Sequence, residues 1–233
     1  QNVLPWNANY FENHDQPRSV SRFGDDGVYW DKSAKLLCIM LLSLRGTPFI
    51  YQGQEIGMTN FDFTSMDQLA DVESHNIYGI AKRLGFPPAL RWRMIKATSR
   101  DNARTPLQWN SGPNAGFTTG RPWLGVNKNY EKINMEAQIS DPTSIRSMYK
   151  KMIALRQTND ILKAGSFETL KISKDLFIYR RSLDGASLVI LLNFSLTEKR
   201  APWEGAVLLL SNYERQGYDG RLRPYEAVIV KEA

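Results

Sequence analysis

Residues 31–51 have the sequence DKSAKLLCIMLLSLRGTPFIY, in which a long apolar run is followed by a short one. The apolar residues of the long run recur with the period of a helix, and we predict a buried helix over residues 31–45. Gly46 stands just past its end, where a left-handed cap is favoured. The short run over residues 48–51 is continuously apolar, which is typical of a strand buried on both faces.

A second strand is predicted upstream of this helix, over residues 9–13, where the aromatic pair Tyr10 and Phe11 is typical of a strand end. Pro17 prevents that strand from continuing, because proline lacks a backbone N–H and biases the preceding residue away from the helical region. Strand, helix and strand at this spacing form a βαβ unit with a parallel sheet. Since ligands bind at the carboxyl ends of such strands, the residues after the first strand are candidates for a site.

Those residues have the sequence NHDQPR over positions 13–18, and they bring a histidine, a carboxylate and a guanidinium together within six positions. Two interpretations fit the six residues alone. In one, Asp15 accepts backbone donors in a local turn and His14 packs against its neighbours. In the other, the side chains of His14, Asp15 and Arg18 point into the space above the sheet and bind a ligand.

Four blocks of sequence resemble the glycoside hydrolase family 13, the α-amylase superfamily, in the right order. They are residues 13–24, 46–58, 99–109 and 114–120. Together they are similar to the oligo-1,6-glucosidase branch, which also holds dextran glucosidases, trehalose-6-phosphate hydrolases and sucrose isomerases. The resemblance extends over nearly the whole chain, more loosely after residue 160.

The resemblance implies an α/β fold, in which residues 1–160 supply strands seven and eight of a (β/α)8 TIM barrel, their helices and a long insertion after strand eight. After about residue 160 the pattern switches to short strands, which predicts a C-terminal antiparallel all-β domain over residues 161–233. Helices are predicted over 66–83, 87–98 and 143–158, the last starting with Pro142 in its first turn. The predicted strands of the β domain are 167–172, 176–182, 187–194, 206–210 and 226–230.

Family membership would also give the motif residues their roles. Asp15 matches the carboxylate that holds the sugar hydroxyls next to the reacting carbon and stabilises the transition state, and His14 matches the histidine that donates to the same hydroxyls. Arg104 matches the arginine that clamps the non-reducing-end glucose, which would make the enzyme exo-acting. For Arg18 two roles stay open, contact with the next sugar or support of Asp15.

Glycoside hydrolysis needs two carboxyl groups, one that donates a proton and one that attacks the anomeric carbon. In the family both follow earlier barrel strands, upstream of residue 9, so the chain alone is expected to be inactive. Glu55 resembles a general acid only superficially, because the family uses its region to support the pocket floor. Phe117 and Trp109 either stack on sugar faces or belong to the core.

Four functions remain open. The first is a retaining α-glucosidase acting on α-1,6-linked gluco-oligosaccharides such as isomaltose. A trehalose-6-phosphate hydrolase is the main rival, because the segment LRPYEA at residues 222–227 occurs in both groups. A sucrose isomerase fits less well, since residues 96–98 lack the arginine-rich stretch those enzymes tend to carry. The non-enzymatic alternative is an inactive family-13-like barrel that serves as a binding subunit.

The composition, with 42% hydrophobic and 23% charged residues, is that of an ordinary globular protein. The net charge of +6 is spread along the chain, so it predicts a solvated surface and no nucleic-acid partner. No apolar stretch is long enough to predict a membrane span.

The one cysteine, Cys38, lies in an apolar run, which excludes an intrachain disulfide and favours a cytoplasmic setting. His75 is the only other histidine and has no ligand-spaced neighbours, so neither a metal nor another cofactor is predicted. The chain starts with Gln1 almost inside a motif, and we therefore expect a fragment whose partner is the upstream N-terminal half of the same enzyme.

Overall fold

The computed structural model describes residues 6–203 and 206–232. Its α-helices are α1 (Ser19–Phe23), α2 (Trp30–Ser43), α3 (Val72–Arg83), α4 (Pro88–Thr98), α5 (Asp101–Arg104), α6 (Met135–Ile139), α7 (Ile145–Thr158) and α8 (Asp160–Ala164). Its strands are β1 (Ala8–Asn9), β2 (Thr47–Pro48), β3 (Ser166–Ile172), β4 (Leu176–Leu183), β5 (Ala186–Asn193), β6 (Lys199–Arg200), β7 (Val207–Ser211), β8 (Arg221–Leu222) and β9 (Ala227–Lys231). Among the described residues no helix is both long and apolar enough to cross a membrane.

The chain divides into two compact units. The first contains residues 1–10, 24–49 and 143–233, and the second contains residues 11–23 and 50–142. The predicted βαβ unit, the last long helix and the sheet therefore belong to the first unit. The long insertion belongs to the second, together with the motif at residues 13–18.

The predicted β-strand–helix–β-strand motif is confirmed in the first compact unit, but its strands are shorter than predicted. β1 and β2 are parallel, and Ala8 lies opposite Thr47 while Asn9 lies opposite Pro48. The predicted strand over residues 9–13 is wrong after Asn9, since β1 pairs with β2 over two residues only and a turn follows, in which the side-chain oxygen of Asn13 accepts from the N–H of Asp15. The second strand likewise ends at Pro48 and not at residue 51.

Helix α2 is the buried helix predicted from the apolar run, and Cys38 is completely buried in it. The helix ends at Ser43, two residues early, because Leu44 is extended and Arg156 donates to the carbonyls of Leu42 and Leu44 at 2.7 and 3.2 Å. Gly46 is therefore not the helix cap. Its φ of +128° and the close approach of the Asn7 carbonyl, which a Cβ would meet at 2.4 Å, show that it allows β2 to pair with β1.

The strands β3 to β5, β9 and β7 form one antiparallel sheet in the order β3-β4-β5-β9-β7. Each strand begins and ends within one residue of its predicted bounds. Asp184 and Gly185 connect β4 to β5 with φ angles of +50° and +82°, the geometry of a tight hairpin turn. The side chains between the sheet and β8 form an apolar cluster that includes Val189, Leu191 and Val228.

Two helix predictions need correction. The helix predicted over residues 66–83 is broken into a 3₁₀ turn at Met66–Gln68 and helix α3, because Asp71 adopts an extended conformation and caps α3 through the N–H of Glu73. Helix α7 starts at Ile145, and Ser144 caps it by accepting from the N–H of Ser147 at 3.1 Å. Its predicted first-turn proline, Pro142, thus lies before the cap. Helix α4 begins within one residue of its predicted start and ends as predicted.

Candidate sugar-binding site

The motif at residues 13–18 forms a turn that exposes its histidine and its aspartate. The side-chain oxygen of Asn13 accepts from the N–H of Asp15 at 2.8 Å, and the carbonyl of Asn13 accepts from the N–H of Gln16 at 3.2 Å. Helix α1 follows directly. The side chains of His14 and Asp15 are 72% and 43% exposed, and His14 Nε2 lies 3.2 Å from Asp15 Oδ2.

Arg104 approaches both residues from helix α5, about 90 positions later in the chain. Its Nη2 donates to Asp15 Oδ1 at 2.7 Å, and its Nε donates to the backbone carbonyl of His14 at 2.8 Å. The structure thus brings His14, Asp15 and Arg104 together, as a single binding subsite requires. Both the turn interpretation and the ligand interpretation of the motif are compatible with this geometry, since the turn is what presents the side chains.

A second arginine, Arg100, also faces Asp15, and no sequence argument identified it. Its Nη1 lies 3.7 Å from Asp15 Oδ1, while its Nε and Nη2 donate to Asp71 Oδ1 at 2.9 and 2.5 Å. The backbone N–H of Asp71 donates in turn to the buried Asp101 at 2.8 Å. Arg100 and Asp101 lie inside the same block as Arg104, so the signal was present, but only the fold shows that Arg100 reaches Asp15.

The carboxyl group of Asp71 makes the stability of this region dependent on pH. Burial by itself would raise the pKa of Asp71, but hydrogen bonds from Arg100 and Ser74 outweigh burial and lower the pKa to about 2. An aspartate in an unfolded chain has a pKa of about 3.9. Because the folded-state pKa is the lower one, the charged form stabilises the fold above about pH 4, and that stabilisation is lost as the pH falls toward about 2.

We expect Asp71→Asn to remove this stabilisation while keeping the helix cap, because asparagine caps as well as aspartate. The thermal unfolding midpoint should fall at neutral pH by on the order of 5 °C, because a pKa lowered from about 3.9 to about 2 corresponds to about 2–3 kcal/mol and each kcal/mol shifts the midpoint by about 2–4 °C in a domain of this size. The difference in unfolding midpoint between variant and parent should narrow as the pH falls from about 4 toward about 2. The exposed Asp26→Asn serves as the matched control, with no gap at any pH. A gap for Asp71→Asn that stays constant with pH would contradict the assignment.

Arg18 lies outside this cluster, which corrects the prediction that it contacts a sugar, whereas its support of Asp15 stays a prediction. Its side chain is only 1% exposed. Its side-chain hydrogen bonds go to other groups, among them Glu12 and the carbonyl of Gln52, at 3.2 and 2.7 Å. A guanidinium buried in this way cannot reach a ligand that is held by the exposed Asp15.

A cavity of about 270 Å³ lies beside Arg104. Its lining residues are Tyr51, Gln52, Arg104, Thr105, Pro106, Leu107, Phe117 and Trp123. Phe117 is exposed and lies on the cavity wall, whereas Trp109 is exposed but does not line it. Neither aromatic belongs to the core, and Phe117 is the one placed for contact with a ligand.

The backbone before Phe117 is strained, which indicates why the ring is held in this position. Asn114 and Ala115 adopt φ angles of +52° and +55°, a left-handed conformation that side chains rarely adopt. The carbonyl of Ala115 accepts from the N–H groups of Trp109 and Asn110 at 2.9 and 3.1 Å, which holds the turn closed. Such strain is found preferentially at functional sites.

Glu55 and possible metal ligands also figure in the sequence predictions, as a superficial general-acid candidate and as an expected absence. Burial raises the pKa of Glu55, although hydrogen bonds from its own N–H and that of Gly53 oppose the effect. Glu55 does not line the cavity beside Arg104. The described residues contain no group of three or more histidine, cysteine or acidic side chains that could hold a metal ion, and the ring of His75 lies 2.9 Å from the carbonyl of Leu69.

Comparison with known proteins places this geometry in context. Residues 2–165 match the family model described as the alpha-amylase catalytic domain. The oligo-1,6-glucosidase of Halalkalibacterium halodurans is 46% identical over 96% of this chain, which corresponds to 42% of that protein. The trehalose-6-phosphate hydrolase of Bacillus subtilis is 42% identical over 97% of this chain and 42% of its own length.

Solved structures of enzymes are also similar to this chain. An isomaltulose synthase mutant of Erwinia rhapontici, in complex with its natural substrate sucrose, superposes with a TM-score of 0.90 at 36% identity. The match covers 97% of this chain and 43% of that one. The chain therefore spans about 42% of the length of the curated relatives named above.

Proposed function

This chain belongs to the α-amylase family, glycoside hydrolase family 13, and on that premise we propose that it is part of a retaining, exo-acting α-glucosidase. The proposed substrates are α-1,6-linked gluco-oligosaccharides such as isomaltose. The observation that carries the proposal is the convergence of Arg104 on Asp15 and on the backbone of His14, at 2.7 and 2.8 Å. These are the three residues that the family resemblance assigns to one glucose-binding subsite.

Asp15 is proposed to bind the sugar hydroxyls next to the anomeric carbon. Its carboxylate accepts charge-assisted hydrogen bonds from those hydroxyls, and such bonds strengthen as positive charge develops on the ring in the oxocarbenium-like transition state. His14 is proposed to donate to the same hydroxyls, and its imidazole lies beside Asp15 Oδ2. Both side chains are exposed enough to reach a ligand.

Arg104 is proposed to close the pocket behind one glucose unit. Two positions of its guanidinium are engaged with Asp15 and His14, while Nη1 has a 3.7 Å approach to Asp101 Oδ1. Nη1 makes no hydrogen bond within the described part of the chain, and it is the position proposed to bind a hydroxyl of the non-reducing-end glucose. A pocket closed at this end admits only the chain terminus, which is the basis of exo action.

The nucleophile and the proton donor are proposed to come from an upstream half of the same enzyme, because the family places both before residue 9. In this proposal residues 1–160 are the last part of a (β/α)8 barrel with strands seven and eight, and residues 161–233 are a β domain. Tyr10 and Phe49, which follow β1 and β2 at the same end of the parallel pair, are 51% and 55% exposed, which fits strands whose barrel neighbours lie on another segment. No step needs a cofactor or a metal, and the proposed location is cytoplasmic.

A trehalose-6-phosphate hydrolase is the second candidate, and the 42% identity to the Bacillus subtilis protein favours it. A sucrose isomerase is a third, given the likeness to the isomaltulose synthase that binds sucrose. A non-catalytic binding subunit would need neither an aligned Arg104 nor an aligned Asp15, and it is therefore disfavoured.

The test is to incubate the complete enzyme, this chain with its upstream half, with isomaltose, trehalose 6-phosphate and sucrose in parallel. We expect glucose from isomaltose at the highest kcat/KM, released first as the α-anomer in proton NMR, as retention requires. Faster turnover of trehalose 6-phosphate, or conversion of sucrose to an isomer, would transfer the assignment to the corresponding alternative. No turnover of any of the three would support the binding subunit.

A further inference from the structure

Arg18 is a buried cation with an unusual set of acceptors. Its Nε and Nη2 donate to the carbonyls of Asn102 and Ala103 at 3.3 and 3.2 Å, and its Nη1 donates to the carbonyl of Gln52 at 2.7 Å. The remaining partner of Nη1 is Glu12, at 3.2 Å. One guanidinium thus joins three segments that are distant in the sequence.

Two of these carbonyls belong to the short helix α5 and directly precede Arg104. The last carbonyls of a helix have no partner within the helix and need donors from elsewhere. Arg18 supplies those donors. The tyrosine hydroxyl of Tyr51 adds a weaker bond to Ala103 at 3.3 Å. Arg18 is therefore one of the groups that hold the backbone from which Arg104 starts.

Glu12, the carboxylate that binds Arg18, also holds the loop that contains Asp15. The carboxylate of Glu12, itself buried, accepts from the N–H and the hydroxyl of Ser19 at 2.8 and 2.6 Å. These bonds close residues 12–19 into a loop that contains both His14 and Asp15. Because Glu12 also binds Arg18, the loop of Asp15 and the helix of Arg104 are attached to the same guanidinium.

We propose that Arg18, paired with Glu12, is a positioning residue that aligns Arg104 with Asp15 in the sugar-binding pocket. A buried ion pair by itself is weak support for a role in stability, because the cost of removing two charges from water offsets their attraction. The geometry of the acceptors is what distinguishes this pair. A planar guanidinium can serve the three carbonyls and the carboxylate at once, whereas a lysine ammonium is a single point with three donors.

This inference rests on the proposed function, and it is tested by a double-mutant cycle in the complete enzyme. The variants are Arg18→Lys, Arg104→Lys and the pair, and the readouts are kcat and KM on isomaltose together with the thermal unfolding midpoint. Arg18→Lys is expected to lower kcat/KM by about 10-fold to 100-fold, since it removes one or two hydrogen bonds of a charged group. When Arg104→Lys is already present, adding Arg18→Lys should lower kcat/KM by less than about 3-fold further, because the effects of coupled residues are not additive.

Arg91→Lys is the matched control, since Arg91 is a buried arginine of the same compact unit that stacks on Tyr78. It should lower the unfolding midpoint without changing kcat/KM. An equal loss from Arg18→Lys in both backgrounds would show a merely structural role and overturn the proposal, and so would an unchanged kcat/KM.

If Arg18→Lys does not fold, Glu12→Gln replaces it in the same cycle, with the same expected non-additivity. The proposed function fails if the parent enzyme prefers trehalose 6-phosphate or sucrose to isomaltose, or turns over none of the three sugars. If the parent enzyme prefers trehalose 6-phosphate or sucrose, the double-mutant cycle is run on that substrate. An equal loss of kcat/KM from Arg18→Lys in both backgrounds would again overturn the inference.

Discussion

Asp15→Asn in the complete enzyme is expected to lower kcat on isomaltose by about 100-fold or more, because the bonds it makes in the transition state contribute several kcal/mol and each 1.36 kcal/mol is a factor of ten. Asparagine preserves the size of the side chain and can still accept a hydrogen bond. It removes the negative charge that faces the developing positive charge on the sugar ring. Steady-state kinetics on isomaltose measure the effect.

The same substitution should leave stability almost unchanged. The side chain of Asp15 is 43% exposed, and its ion pairs with Arg104 and Arg100 lie at the surface, where such pairs contribute little. Asp26→Asn, an exposed aspartate outside the motif, is the matched control and should keep the parent kcat. Near-normal turnover by Asp15→Asn would end the role assigned to this carboxylate.

The second large effect is expected from Arg104→Lys, with a fall in kcat/KM of roughly 10-fold to 150-fold, since hydrogen bonds to charged groups contribute about 1.5–3 kcal/mol. The guanidinium donates to Asp15 and to the carbonyl of His14 at the same time. A lysine ammonium keeps the charge but not the planar fork, so Asp15 and the glucose hydroxyl lose a shared partner.

Arg93→Lys, on the exposed face of helix α4, controls for a general effect of the replacement and should be neutral. The loss in Arg104→Lys should be seen with both isomaltose and longer α-1,6-linked oligosaccharides, because all of them place a terminal glucose in the same subsite. A variant that loses activity only on the longer substrates would place Arg104 outside the terminal subsite.

Much of the fold could be predicted because short-range patterns dictate it. The strands β3 to β5 alternate or run apolar between clear turn residues, and the pair Asp184-Gly185 suits a two-residue hairpin, so their bounds agree with the structure. The parallel pairing of β1 with β2 follows from the long helix between them. The strand lengths could not be predicted, because β1 and β2 pair over only two residues, and apolar patterns do not show where pairing stops.

The site could be predicted only in part, for a similar reason. His14, Asp15 and Arg104 stand in recognisable motifs, and the fold brings them together. The role of Arg18 depends on whether its side chain points outward or inward, and the carbonyls that draw it inward belong to residues 34 to 85 positions away. Arg100 was missed because its approach to Asp15 joins two segments that are distant in the sequence.

The central claim is that this chain supplies a sugar-binding subsite whose chemistry depends on an upstream half. The most direct measurement is hydrolysis of isomaltose and p-nitrophenyl α-glucoside by the 233-residue chain alone and with the separately produced upstream half. We predict no hydrolysis by the chain alone, hydrolysis by the mixture, and none when the chain carries Asp15→Asn. Hydrolysis by the chain alone would contradict the account and make Glu55 the first carboxylate to replace, and equal activity of the mixture with Asp15→Asn would contradict it as well.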